Sequence, residues 1–237
     1  IRPNANTEYT HGTYAEYIRV PARNCFPIPA GLSFAEAAAF PLVFLTVWRM
    51  LVTNAELKPG ESILILGIGG GVAGAALQVA SMLRTRAIVT SSSDEKLLRA
   101  KQLGAEHGIN YRNSDFPREV RRYTGKRGVD VVVDCVGGES WAKSLEALAK
   151  GGRLTTCGAT TGHTPPTNLQ RIFWNDLSIF GSSSGSRAEF QNVLDFISVT
   201  GCKPIIDRIF PLNEAAQAHQ RLEAAEQFGK IVLQIAD

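Results

Sequence analysis

Residues 62–83 read Ser62-Ile63-Leu64-Ile65-Leu66-Gly67-Ile68-Gly69-Gly70-Gly71-Val72-Ala73-Gly74-Ala75-Ala76-Leu77-Gln78-Val79-Ala80-Ser81-Met82-Leu83. Four consecutive apolar residues, Ile63 to Leu66, stand between Pro59-Gly60 and a run of glycines. A short run apolar on both faces suits a strand buried inside a parallel sheet. A glycine turn follows at once, and after it a helix of small residues. Strand, glycine turn and helix is the geometry that aims bare backbone N–H groups at a phosphate. Gly69, Gly71 and Gly74 fit G-x-G-x-x-G, which is unspecific alone but informative directly after a strand and at the start of a helix. Five of the eight residues from Gly67 to Gly74 are glycine, a density that costs conformational entropy and calls for a reason. Gly69 and the N–H groups of Gly70, Gly71 and Val72 are therefore the candidate pyrophosphate cradle of a dinucleotide site.

Working outward, strands and helices alternate. Strand Ser62–Leu66 leads to helix Val72–Leu83, and strand Ala87–Thr90 to helix Asp94–Leu103, with Gly104 as its stop. A short strand near Gly108–Asn110 precedes helix Asp115–Tyr123. Strand Val129–Cys135 precedes helix Ser140–Leu148. Strand Arg153–Cys157 follows Gly151-Gly152, and strand Leu177–Gly181 precedes helix Arg187–Val199. This alternation predicts right-handed βαβ units and a doubly wound parallel sheet, the Rossmann form of the α/β class.

The flanks differ. Thr13–Val20, with Tyr14, Tyr17, Ile18 and Val20, reads as a strand. It has no neighbour in sequence to pair with, so its partners must come from the C-terminal end, another chain, or sequence that is absent. Ser33-Phe34-Ala35-Glu36 is a capping box opening a helix that Pro41 ends or kinks, and Leu42–Thr53 reads as a second helix. After Gly201, Ile205–Phe210 and Lys230–Ile235 read as strands around a helix over Leu212–Ala225, elements of a second domain or of the sheet edge.

The bulk numbers exclude several classes. The 237 residues are 44% hydrophobic, and 25 basic against 22 acidic residues leave a net charge of +3. That balance favours neither nucleic acid nor an anionic membrane, and no apolar run approaches the ~20 residues of a bilayer span. The cysteines Cys25, Cys135, Cys157 and Cys202 lack zinc-finger or C-x-x-C spacing and read as reduced thiols of a cytoplasmic protein. Cys135 and Cys157, at strand ends, read as small apolar filler. His11, His107, His163 and His219 form no metal or base motif with a carboxylate, so no catalytic residue is assigned.

In a doubly wound sheet the ligand lies at the C-terminal strand ends. Gly67–Gly71, Ser91–Ser93, Val136–Gly138, Gly158–Gly162 and Gly181–Gly185 are short polar or glycine-containing loops at that edge, which brings Val136 into the candidate set. The end of the second strand selects the cofactor. An acid there would suit the ribose 2′-hydroxyl of NAD. The chain has Ser91, Ser92 and Ser93 instead, with Asp94 read as the cap of the next helix and Lys96 one turn in, within reach of a 2′-phosphate. The expectation is NADPH over NADH.

Gly12-Thr13-Tyr14-Ala15-Glu16-Tyr17, Pro41-Leu42 through Leu45-Thr46-Val47-Trp48, Leu57-Lys58-Pro59-Gly60-Glu61, the glycine turn, Gly104-Ala105-Glu106, Ile109-Asn110-Tyr111, Gly128-Val129-Asp130-Val131-Val132-Val133-Asp134, Gly151-Gly152-Arg153 and Phe228-Gly229-Lys230-Ile231-Val232-Leu233 occur in this order. Together they resemble the medium-chain dehydrogenase/reductase superfamily, which holds zinc-type alcohol dehydrogenases and NADPH quinone oxidoreductases. The resemblance implies roughly a hundred further residues upstream, the size of a small domain, forming most of a GroES-like β domain; this chain is then expected to be a truncated form that opens at Ile1. It divides the chain into a remnant of that domain at 1–45, the Rossmann domain at 46–200, and a segment returning to the catalytic domain at 201–237.

The resemblance also places Thr46 near the nicotinamide, Tyr111 near the adenosine end, and Gly158, Ala159, Gly181 and Ser182 along the nicotinamide crevice. It implies a homodimer or homotetramer, joined through the sheet edge near Ser178–Gly181. Leu42 stands where catalytic-zinc members carry a cysteine, and leucine cannot ligate zinc. Zinc is therefore not expected within this chain, while the upstream segment leaves it open. The leading expectation is hydride transfer between NADPH and a small-molecule carbonyl, quinone or enone. The alternatives are a zinc-dependent alcohol dehydrogenase and a non-catalytic NADPH-binding module.

Overall fold

A computed structural model describes residues 12–235. Helix α1 (Phe34–Ala39) carries the expected capping box: Ser33 Oγ accepts from the Glu36 N–H, and the Ser33 N–H donates to Glu36 Oε2 at 2.7 Å. Pro41 does not merely end that helix; it opens α2 (Pro41–Trp48) at a first-turn position, where its missing N–H has no intrahelical role. The remainder of the expected second helix, Arg49–Asn54, winds as a π-helix.

Next come β1 (Ser62–Ile65), α3 (Gly71–Met82), β2 (Arg86–Ser91), α4 (Asp94–Gln102), β3 (His107–Asn110), α5 (Phe116–Tyr123), β4 (Val129–Val133), α6 (Ser140–Ala147), β5 (Leu148–Thr156), α7 (Leu169–Trp174), β6 (Ser178–Gly181) and α8 (Arg187–Thr200). Among the described residues the strands form a six-stranded sheet in the order β3-β2-β1-β4-β5-β6, every pair parallel. The order reverses between β1 and β4, which makes their C-terminal ends the switch point.

Side-chain alternation divides the core. Ile63, Ile65, Val89, Val131 and Val133 pack under α2, α3 and α8 with Val47, Met50, Leu77, Val193 and Ile197. Leu64, Ile88, Val132 and Leu154 face Phe116, Val120 and Leu145 of α5 and α6 on the other side. With both faces covered, each strand reads as a continuous apolar run. At the opposite edge of the sheet, Asp130 accepts from the Ser62 N–H at 2.9 Å and Ser62 Oγ at 2.8 Å, and from Arg127 Nη1 at 3.1 Å. Burial pushes its carboxyl up, but Arg127 and the Ser62 bonds outweigh it and hold the pKa down from 3.8 to about 2. A folded-state value below the unfolded one stabilises the protein above pH 3.8 and is lost as pH falls through about 2. Acid unfolding followed by circular dichroism is expected to be less steep in that window for Asp130→Asn than for the parent.

Three features differ from expectation. Thr13–Val20 is exposed and irregular, not a strand; among the described residues no strand lies beside it to take its backbone bonds, and its Tyr14 hydroxyl instead meets His219 Nε2 at 3.2 Å. Its predecessor, the loop expected over residues 1–12, lies outside the described residues up to position 11. Strand β5 begins at Leu148 rather than Arg153, pairing back to Val129 across a register shift. Helix α7 was not expected; Asn168, whose Oδ1 accepts from the Arg171 N–H, caps it.

The C-terminal segment forms β7 (Ile206–Pro211), α9 (Ala215–Glu223) and β8 (Lys230–Gln234), with β7 and β8 paired in parallel as their own two-stranded sheet. It packs back on the strand-end side: the Gly229 N–H donates to Gly69 O at 2.9 Å, and Gln78 Nε2 to Lys203 O at 2.7 Å.

Candidate functional site

Because all six strands run parallel, the loops after β1, β2, β4, β5 and β6 open on one edge. Hydrogen bonds join them side by side. The Ile68 N–H donates to Thr90 O and the Gly67 N–H to Thr90 Oγ1, linking the glycine turn to β2. The Tyr111 N–H donates to Ser91 O, the Thr161 N–H to Val136 O, the Gly138 N–H to Gly162 O and the Ser182 N–H to Thr156 O. The structure thus gathers Gly69–Val72, Ser91, Tyr111, Val136, Gly158, Ala159, Gly181 and Ser182 along a single edge. Thr46 lies buried in α2, its hydroxyl donating to Leu42 O at 2.7 Å. α2 reaches the turn through Val43.

The turn itself needs its glycines. Gly69 has φ +126, and a Cβ there would stand 2.9 Å from the Lys96 Cδ and 3.3 Å from Gln227 O. A Cβ at Gly71 would stand 2.6 Å from the Lys230 Cδ and 3.1 Å from Val43 Cγ1. Gly70 is the N-cap of α3 and offers no side-chain cap, so the N–H groups of the first turn keep their capacity for an outside acceptor.

Two lysines lie over this turn and two arginines act on one of them. Lys96 lies over Gly69 and Lys230 over Gly71, with Arg99 stacked 4.2 Å over the Phe228 ring and Arg221 paired to Asp207. The Lys96 ammonium donates to Ala225 O at 2.5 Å. Burial pushes its pKa down; Asp207 pulls it up, and Arg221 and Arg99 push it down further. Glu95 pulls it up again. A half-buried ammonium whose nearest charges are two guanidiniums and the carboxylates of Asp207 and Glu95 can take up an added anion as a further partner. Residue spacing pointed to Lys96, but not to Arg99, Arg221 or Lys230. The available signal for Lys230 was its place in the Phe228-Gly229-Lys230 match.

The cap after β2 is also corrected. Ser93, not Asp94, caps α4, accepting from the Lys96 N–H at 3.3 Å, while Asp94 takes Asn110 Nδ2 at 2.8 Å. Ser91 Oγ accepts from the Ser93 N–H, which shapes the loop holding Ser92. Beyond β4, Asp134 is fully buried and accepts from the Val136 N–H at 2.8 Å, the Gly137 N–H at 2.9 Å and Ser144 Oγ at 2.8 Å. It fixes the 136–138 loop and was not identified from sequence. Ser182 Oγ and Gln227 Oε1 are buried without a hydrogen-bond partner, an arrangement that asks for a polar ligand on this side.

Leu42 is exposed on α2 and carries no donor atom. Among the described residues no group of three or more His, Cys, Asp or Glu is placed to hold a metal ion. Also among them, no helix is long and apolar enough to cross a membrane.

The zinc-binding dehydrogenase family model matches residues 71–199. The chain is 36% identical to the zinc-type alcohol dehydrogenase-like protein YogA of Leptosphaeria maculans, over 94% of this chain and 65% of that protein. It is 28% identical to the quinone oxidoreductase of Homo sapiens, over 94% of this chain and 69% of that protein. Among solved structures, an NAD-dependent alcohol dehydrogenase superposes with a TM-score of 0.90 at 42% identity, over 95% of this chain and 66% of that one. A mycobacterial protein solved with NADPH superposes with a TM-score of 0.85 at 31% identity, over 94% and 71%. The chain therefore spans about two thirds of the length of these relatives. With the glycine turn at a doubly wound switch point and a family match across more than half its length, the chain belongs to the zinc-binding dehydrogenases of the medium-chain dehydrogenase/reductase superfamily.

Proposed function

We propose that this chain forms the cofactor-binding part of an NADPH-dependent oxidoreductase that reduces a carbonyl, quinone or enone. The observation that carries the reading is the half-buried Lys96, pressed over Gly69 among Arg99 and Arg221 beside the uncapped first turn of α3. NADPH, when bound, supplies the hydride. The chain's own part is binding and orientation. The N–H groups of Gly70, Gly71 and Val72 hold the pyrophosphate against the helix N-terminus. Lys96, with Ser91 and Ser92 at the end of β2, takes the 2′-phosphate, exchanging its bond to the neutral Ala225 O for an ion pair with a charged acceptor. Tyr111 lies toward the adenosine. Val136, Gly158, Ala159, Gly181, Ser182 and Thr46 flank the nicotinamide end, where Asp134 and the bonds between the 136–138 and 158–162 loops keep the backbone in place.

The similarity to an NAD-dependent alcohol dehydrogenase favours a second reading, NADH as cofactor. The absence of an acid among Ser91–Ser93 supports the first. A second copy of the chain would dock along β6, the last strand in the sheet order and largely exposed. Residues 1–45 and 201–237 would belong with the catalytic domain. The reading is tested by following NADPH absorbance with a quinone, an enone and an aldehyde as separate acceptors. Consumption by at least one, faster with NADPH than with NADH, supports it. Bound NADPH with no turnover on any of the three would instead establish a binding module.

A further inference from the structure

The parallel register of β4 and β5 pairs Val131 with Arg153 and Val133 with Thr155. Two residues further on, at the next position of the same face, stand Cys135 and Cys157. Their sulfurs lie 3.2 Å apart. Both are free thiols, partly exposed, and both border the core beneath α2, α3 and α8. Adjacent strands are about 4.8 Å apart, inside the ~4.4–6.8 Å range of Cα separations that a disulfide spans. Bringing the sulfurs from 3.2 Å to the bonded distance of about 2.05 Å closes a gap of about 1 Å.

We propose that Cys135 and Cys157 form a reversible dithiol–disulfide site at the ends of β4 and β5. Its oxidant is a small disulfide of the glutathione type. The two thiols share one hydrogen bond in which either sulfur can donate; with Cys135 as the donor, that bond pulls the Cys157 pKa down and, with burial, pushes Cys135 up, so Cys157 is the attacking group. The Cys157 thiolate attacks one sulfur of the small disulfide, forming a mixed disulfide and expelling one glutathione thiolate, which takes up the proton Cys157 lost. Cys135 then gives up its proton and attacks the Cys157 sulfur. The mixed bond breaks, the Cys135–Cys157 bond forms, and the second glutathione leaves protonated. Two protein thiols are oxidised and one small disulfide is reduced to two thiols.

The bond would tie the base of the 136–138 loop to that of the 158–162 loop, which already exchange hydrogen bonds through Thr161 and Gly138. The pairing rests on the strand register and the sulfur separation, whichever nucleotide binds beside it. Cys25 is exposed and Cys202 is buried, with burial pushing the Cys202 pKa up to about 11, so both serve as internal comparisons.

The test equilibrates the protein in glutathione buffers of graded oxidised-to-reduced ratio, quenches with acid, alkylates and maps the peptides by mass spectrometry. The expected result is a Cys135–Cys157 cross-linked peptide that rises with the oxidised fraction and disappears on return to reduced buffer. Cys135→Ser should trap one glutathione on Cys157, and Cys157→Ser should accumulate far less on Cys135. Glutathione on Cys25 without the cross-linked peptide at any ratio, or a mixed disulfide on Cys157 of the unaltered protein that never resolves, would overturn the proposal. If either variant fails to fold, the map of the unaltered protein decides alone.

Discussion

Asp134→Ala lowers stability by about 3 kcal/mol, which for a chain of this size corresponds to a melting temperature lower by about 6–12 °C. The carboxylate is buried and accepts two N–H groups of the loop after β4 together with the Ser144 hydroxyl. Alanine leaves those three donors inside without acceptors, each worth about 1–3 kcal/mol of lost solvation, partly recovered where water enters. Asp134→Asn keeps one acceptor oxygen and is expected to lose about half as much. Thermal unfolding by calorimetry separates the outcomes. Equal melting temperatures for the parent and Asp134→Ala would show that the loop does not depend on this carboxylate.

The second large effect falls on the glycine turn. Gly69→Ala must place a side chain at φ +126 and push aside the Lys96 side chain, which a Cβ would meet at 2.9 Å, while pressing on Gln227 O at 3.3 Å. The backbone alone costs about 1–3 kcal/mol. Gly60 provides the comparison: it has φ +84 and nothing within 4 Å of its would-be Cβ, so Gly60→Ala carries the backbone strain without the crowding. Both substitutions are expected to lower the melting temperature. Only Gly69→Ala should weaken NADPH binding as well, by ten-fold or more, equivalent to about 1.4 kcal/mol. Unchanged NADPH affinity in Gly69→Ala would remove the turn from the binding site.

The βαβ core was legible because its signals are local. A four-residue apolar run such as Ile63–Leu66, followed by glycines and a small-residue helix, has few other solutions, and the alternation repeats it along the sheet. The strand expected at Thr13–Val20 failed for the opposite reason. Its β-favouring side chains were present, but a strand needs neighbours, and β propensity cannot supply them. Helix α7 was missed because it is six residues long and its cap, Asn168, is not followed by a glutamate or glutamine at the third helical position.

The site was legible to the extent that it is contiguous. The glycine turn and the serines after β2 lie on short stretches whose chemistry shows in order. Asp134 was overlooked because an aspartate at a strand end looks like an ordinary loop residue until its buried donors are seen. Lys230 reaches Gly71 from β8 and Arg221 comes near Lys96 from α9, and only the folding of residues 201–235 back over Gly69 brings them there. The same holds for Cys135 and Cys157, whose separation of 22 residues hides a contact set by the parallel register of β4 and β5.

We propose that Lys96 and its charged neighbours beside Gly69 select a 2′-phosphate. It is tested most directly by titrating NADPH and NADH in parallel, by cofactor fluorescence at one ionic strength, into the protein and into Lys96→Ala. NADPH is expected to bind the protein at least about ten-fold more tightly than NADH, and Lys96→Ala to abolish most of that ratio while leaving NADH affinity nearly unchanged. NADH binding as tight as NADPH, or a ratio untouched by the loss of Lys96, would contradict it.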